Sequence, residues 1–126
     1  MKTEIRTTKA PQAIGPYSQA IEAQGFLFAS GQIPLVAATG EVLQGTIEEQ
    51  THLVLDNIGE ILLAKGLGYD SVVKTTVFLT DLADFAAVNS VYDTYFQKAS
   101  PARSCVQVAA LPKGVKIEIE IIATCK

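Results

Sequence analysis

Only two segments of this chain carry apolar residues at helical spacing; the rest of its ordered-looking sequence alternates or clusters as strands do. Two helices, each with one apolar stripe, cover one face of a sheet and leave nothing for the other. A mixed sheet with two apolar faces needs both protected. At 126 residues the chain is long enough for one domain with a real core, residues 1–126, and too short for a second layer of helices. Association with further copies of itself is the expected remedy.

The first helix follows Thr46, with Glu49 three residues on completing a capping box. Ile47, Val54, Leu55, Ile58, Ile61 and Leu62 form its stripe, and Gly66 is placed to stop it. A second helix spans about 84–96, with Phe85, Val88, Tyr92, Tyr95 and Phe96 on one side. Residues 2–7 (weakly), 17–23, 26–30, 72–79, 103–111 and 115–124 read as strands, with a turn at Gln24-Gly25 and mostly loop over 31–45.

Composition removes several classes of function. Ten basic against thirteen acidic residues give a net charge of -3, contrary to the basic surface that nucleic-acid binding needs. One histidine and two cysteines, scattered, do not make a Cys/His metal site, and no close carboxylate cluster replaces it. No apolar run reaches the roughly 18 residues of a membrane span. Residues 1–12 are polar and do not resemble a signal segment, and the two cysteines have no framework spacing, so a reducing, cytoplasmic setting is expected. Walker, G-x-G-x-x-G and G-x-S-x-G motifs are missing, which leaves nucleotide binding and serine hydrolysis without support.

Strand alternation sorts the last two strands into faces. Arg103, Cys105, Gln107 and Ala109 point one way, and Ser104, Val106, Val108 and Ala110 the other. Lys116, Glu118, Glu120 and Ile122 oppose Ile117, Ile119, Ile121 and Ala123. With the Val/Ile sets placed under the helices, Arg103, Cys105, Gln107, Glu118 and Glu120 share the bare face. Each has an ordinary reading too. Arg103 pairs with Glu118 or Glu120 as a surface ion pair, or it awaits a ligand. Cys105 is a small buried hydrophobe, or it belongs to a site. His52 reads as a surface residue of the first helix, with nothing to orient it as partner to a cysteine nucleophile. Asn89, at the edge of the second stripe, is a satisfied structural amide or a site residue.

The stretch P-A-R-S-C-V-Q-V-A-A-L-P-K-G-V-K-I-E-I-E, residues 101–120, closely resembles the signature of the Rid (YjgF-like) family. A-I-G-P-Y-S-Q-A at 13–20, S-G-Q-I-P-L at 30–35, V-K-T-T-V-F-L-T-D-L at 73–82 and F-A-A-V-N at 85–89 agree with it in the same order. The nearest branch is the RidA-like enamine/imine deaminases. The resemblance implies an α+β, chorismate-mutase-like mixed sheet with two helices on one face. It also implies a last strand inserted between earlier ones, and a homotrimer with a central β-barrel and clefts between subunits. Its implied activity is hydrolysis of 2-aminoacrylate, 2-iminopropionate and related intermediates, released by pyridoxal-phosphate dehydratases, to 2-keto acids and ammonia, without a cofactor.

Carried onto this sequence, the resemblance makes Arg103 the anchor for the substrate carboxylate and Glu118 the group that positions a water and takes its proton. The Cys105 backbone N–H, Tyr17, Ser30 and Asn89 complete the binding set. The partners implied are a small 2-imino or 2-keto carboxylate and further copies of the chain, with no nucleic acid and no membrane. Rival readings are a non-catalytic binder of small carboxylates, an RNA-cleaving translation inhibitor, and a pure assembly module. The acidic charge and the lack of a histidine pair weigh against the RNA reading.

Overall fold

Gln24 and Gly25 both take positive φ, 54° and 80°, and close a two-residue hairpin between β2 (Ala20–Ala23) and β3 (Phe26–Gln32). This hairpin lies one strand in from the β1 edge of a six-stranded sheet in the computed structural model, which describes residues 1–125. The other strands are β1 (Thr3–Ile5), β4 (Val72–Leu79), β5 (Ala102–Gln107) and β6 (Ile117–Thr124), in the spatial order β1-β2-β3-β6-β4-β5. The last strand therefore inserts between β3 and β4, antiparallel to both, and β5 runs parallel to β4 at the far edge. The 112–114 link is a single 3₁₀ turn, with Lys113 at φ 57°, and does not make a hairpin.

Helix α1 (Ile47–Leu63) starts as its sequence predicts. The Thr46 hydroxyl accepts from the Glu49 N–H at 3.1 Å, and the Glu49 carboxylate accepts from the Thr46 N–H at 2.9 Å. It ends where Gly66, at φ 73°, lets the Leu67 N–H reach back to the Leu62 carbonyl. Val54, Leu55, Ile58, Ile61 and Leu62 are fully buried against β3 and β6, each worth about 1.5–3 kcal/mol over an exposed position. Helix α2 (Phe85–Tyr95) follows a 3₁₀ turn capped by Asp81, whose carboxylate accepts from the Ala83 N–H. It carries the chain from β4 to the parallel β5 and packs beside α1.

Both helices lie on the face of Val77, Leu79, Ile117, Ile119 and Ile121. Among the described residues, nothing covers the opposite face. Phe26 is 42% exposed, Phe28 45% and Val106 42%, and Glu120 is exposed beside them. Among the described residues, no helix is long and apolar enough to cross a membrane.

The placement of β5 corrects one expectation. Arg103, Cys105 and Gln107 pair with Thr75, Val77 and Leu79 of β4, which point toward the helices. They therefore lie on the helix side, and it is Ser104 and Val106 that share the bare face with Glu118 and Glu120. Apolarity misassigned the strand because β5 is an edge strand over which the helices only partly reach. There a long polar side chain on the inner face still finds solvent, while a valine on the outer face stays exposed. Four strands are also shorter than their sequence patterns, with 2, 6–7, 17–19, 108–111 and 115–116 outside them, while β3 runs on through 31–32, which the sequence reads as loop.

Candidate active site

Phe85, Asn89 and Tyr92 fall at i, i+4 and i+7 on α2, so one stripe of the helix meets the edge of β5. Arg103 lies across that stripe. Its Nη1 donates to the Asn89 side-chain oxygen at 2.7 Å, and its guanidinium carbon sits 4.8 Å from the Tyr92 ring centre and 5.4 Å from that of Phe85. Tyr92 is fixed in turn by a 2.7 Å hydrogen bond between its hydroxyl and that of Thr75. The two ion pairs among the described residues, Arg6–Glu4 and Lys65–Glu22, leave the Arg103 fork without a carboxylate. The surface ion pair to Glu118 or Glu120 is therefore not the arrangement found. The recess beside Arg103, about 510 Å³, is lined by Asn89, Tyr92, Asp93 and Ser100 among others.

Cys105 follows two residues on. Its side chain packs against the core, and burial pushes its thiol pKa up, against the opposing pull of Arg103. A raised thiol is a poor nucleophile at neutral pH. Its backbone is the useful part. The Val108 N–H donates to the Leu79 carbonyl, so alternation turns the amides of Val106 and Ser104 toward β4 and that of Cys105 toward the free edge. His52, the single histidine, is bound to the Tyr95 hydroxyl at 2.9 Å, and that hydroxyl donates to Asp56.

Glu118 lies elsewhere. It lines a cavity of about 610 Å³ on the bare face with Tyr17, Ser30, Gly31, Gln12 and Lys113. It is half-buried, and burial pushes its carboxyl above the ordinary glutamate range, with the neighbouring Glu120 adding to the shift. Tyr17 is 52% exposed, and its hydroxyl accepts weakly from the Ile14 N–H at 3.4 Å. The Ser30 hydroxyl donates to the Ser18 carbonyl at 2.6 Å, so it ties β3 to the 17–19 segment and keeps only acceptor capacity for a ligand. Gln19 closes the cavity from behind. Its buried amide bonds Thr7, Ala10 and Pro11 and pins the segment carrying Tyr17, a role its sequence context did not single out.

The six expected residues thus form two groups in one chain: Tyr17, Ser30 and Glu118 in the cavity, and Asn89, Arg103 and Cys105 at the free edge. β4 stands between them, and they occupy opposite faces of the sheet.

A family model described as Endoribonuclease L-PSP matches residues 7–125. The Reactive Intermediate Deaminase A, chloroplastic, of Arabidopsis thaliana is 56% identical over 98% of this chain. A crystal structure of a Rid-family protein of unknown function from Yersinia pestis superposes with a TM-score of 0.96 at 50% identity, covering 98% of this chain and 99% of that one. The chain belongs to the Rid family. It spans 66% of the Arabidopsis protein. The 2-iminobutanoate/2-iminopropanoate deaminase of Mus musculus is 51% identical over 94% of this chain and 88% of its own length. The Rid fold is that of the six-stranded sheet and two helices described above, and the inserted last strand expected from the resemblance is present.

Proposed function

We propose that this Rid protein is an enzyme that hydrolyses small 2-imino carboxylates and their enamine tautomers, of the 2-aminoacrylate and 2-iminopropionate kind, to 2-keto acids and ammonia. The observation that carries this reading is the Arg103 fork, held on Asn89, Tyr92 and Phe85 with donors to spare beside the outward Cys105 N–H. A planar cation with a neighbouring amide is a carboxylate receptor. Relatives named 2-iminobutanoate/2-iminopropanoate deaminase at 51–52% identity support the same substrate class, and one named reactive intermediate deaminase at 56% agrees with it.

The chemistry asks little more of the protein. Arg103 and the Cys105 amide fix the carboxylate. Glu118 orients a water and takes its proton as the water oxygen bonds to the imine carbon, and it returns that proton to the nitrogen, which receives the C=N electron pair. The carbinolamine collapses, the C–N bond breaks, ammonia leaves and the keto group remains. Tyr17 and Ser30 border the reacting centre. The substrate is already electrophilic, so placement and charge complementarity supply the acceleration without a cofactor.

One three-carbon substrate cannot touch both groups of residues within a single chain. In this reading three copies pack the bare face inward as a central barrel, and each site takes Arg103 with Asn89 from one subunit and Glu118 with Tyr17 from its neighbour. The exposed Phe26, Phe28 and Val106 fit this burial. A Phe28→Glu substitution is then expected to shift the sedimentation coefficient from that of a trimer to that of a monomer. A wild-type monomer would remove the intersubunit site.

The test of function is the conversion of 2-iminopropionate to pyruvate with and without the protein. Acceleration of at least about tenfold is expected. An unchanged rate with measurable pyruvate binding would leave a carboxylate-binding protein instead.

A further inference from the structure

Gly31 sits where the β3–β6 register shifts, between the Ala29↔Ile121 and Gln32↔Ile119 pairs. Its φ lies outside the left-handed region that favours glycine, so its backbone accepts any residue. What it does not accept is a side chain. A Cβ there would lie 3.1 Å from Glu118 Cγ and 2.8 Å from Cδ, and would overlap Oε2 outright. The Glu118 carboxylate therefore occupies the volume that any other residue at 31 would fill. The displaced atoms would be the far end of a flexible side chain, so the fold tolerates a methyl group that the carboxylate does not.

We infer that Gly31 is a positioning residue for the proposed reaction: the strand irregularity at Ser30–Gly31 forms a slot that holds the Glu118 carboxylate against the β3 backbone, at the depth where it meets the water. The inference rests on the reading of Glu118 as the base. Several groups surround the carboxylate. Glu120 follows on its own strand, Lys113 approaches from the 112–114 turn, and Tyr17 comes from the segment before β2. None of them sets its depth; the missing Cβ does. The structure places Gly31 inside β3, past residue 30 where the sequence pattern ends the strand, and a glycine within a strand marks an irregularity or a close approach.

Gly31→Ala is expected to lower kcat for 2-iminopropionate about 100-fold, the cost of misplacing a catalytic group by roughly 1 Å. Pyruvate affinity, anchored at Arg103, should stay within about threefold, since product binding does not use the base. In the Gly31→Ala background the shorter Glu118→Asp side chain no longer places a carboxylate in the volume of the methyl group and keeps only the 3.1 Å Cγ contact, so the double variant should lose much less than the product of the two single losses. Losses that multiply, or a Gly31→Ala enzyme with wild-type kcat, would overturn the positioning role. A ¹³C NMR titration of the Glu118 carboxyl separates this inference from the proposed reaction. In Gly31→Ala the carboxyl moves toward solvent, and its midpoint should fall toward the ordinary glutamate value. An unmoved midpoint overturns the slot. A moved midpoint in a protein that does not hydrolyse the imine overturns the reaction and leaves the slot standing.

Discussion

Arg103→Ala is expected to lower kcat/KM for imine hydrolysis roughly 30- to 5,000-fold, equivalent to about 2–5 kcal/mol of transition-state stabilisation, the range for truncating one partner of a hydrogen-bonded charge pair. The substitution removes the only guanidinium at the free edge of β5 and leaves the substrate carboxylate with the Cys105 amide alone. Stability should change little, because Arg103 is exposed and makes one side-chain hydrogen bond and two ring contacts on α2. Arg103→Lys separates charge from shape. It keeps the cation but loses the planar fork and the stack on Tyr92 and Phe85, so it should recover only part of the loss. Pyruvate binding measured beside the rate locates the defect in anchoring. A folded Arg103→Ala protein with wild-type kcat/KM would remove the arginine from the site.

Much of this site was legible in the chain, for reasons that differ residue by residue. The capping box at Thr46 and Glu49 and the stop at Gly66 are local, so sequence spacing alone placed α1. Glu118 was assigned to the bare face correctly because β6 is a central strand, where every second side chain must enter a packed core. The same logic failed for Arg103 and Cys105. On an edge strand one face is only partly covered, and alternation sorts residues into two sets without saying which set is inside. Pairing with Thr75 and Val77 decides it, and pairing is a tertiary fact. Gly31 escaped notice because its importance is a volume shared with a residue 87 positions away.

Glu118→Gln tests the base directly, with nearly the same shape and no capacity to take a proton. A positioned general base contributes about 10²–10⁴-fold, and a loss of that size in kcat is expected with pyruvate binding retained. The pH profile carries the sign. Burial, and then Glu120, raise the Glu118 pKa, and the reaction needs the carboxylate, so wild-type kcat/KM should fall as pH drops through a midpoint above the ordinary glutamate value. The Glu118→Gln variant should lack that limb. Its stability should move the other way. A carboxyl whose folded pKa is raised is bound more weakly by the folded state once ionised, so above that midpoint the glutamine protein should be at least as stable as wild type. The two inactive variants then test each other. If every site joins Arg103 of one subunit to Glu118 of the next, co-refolding Arg103→Ala with Glu118→Gln in equal amounts rebuilds intact sites. Random assembly of trimers returns roughly a quarter of wild-type activity. A site contained within one chain would return none, because each chain would still lack one of the two groups.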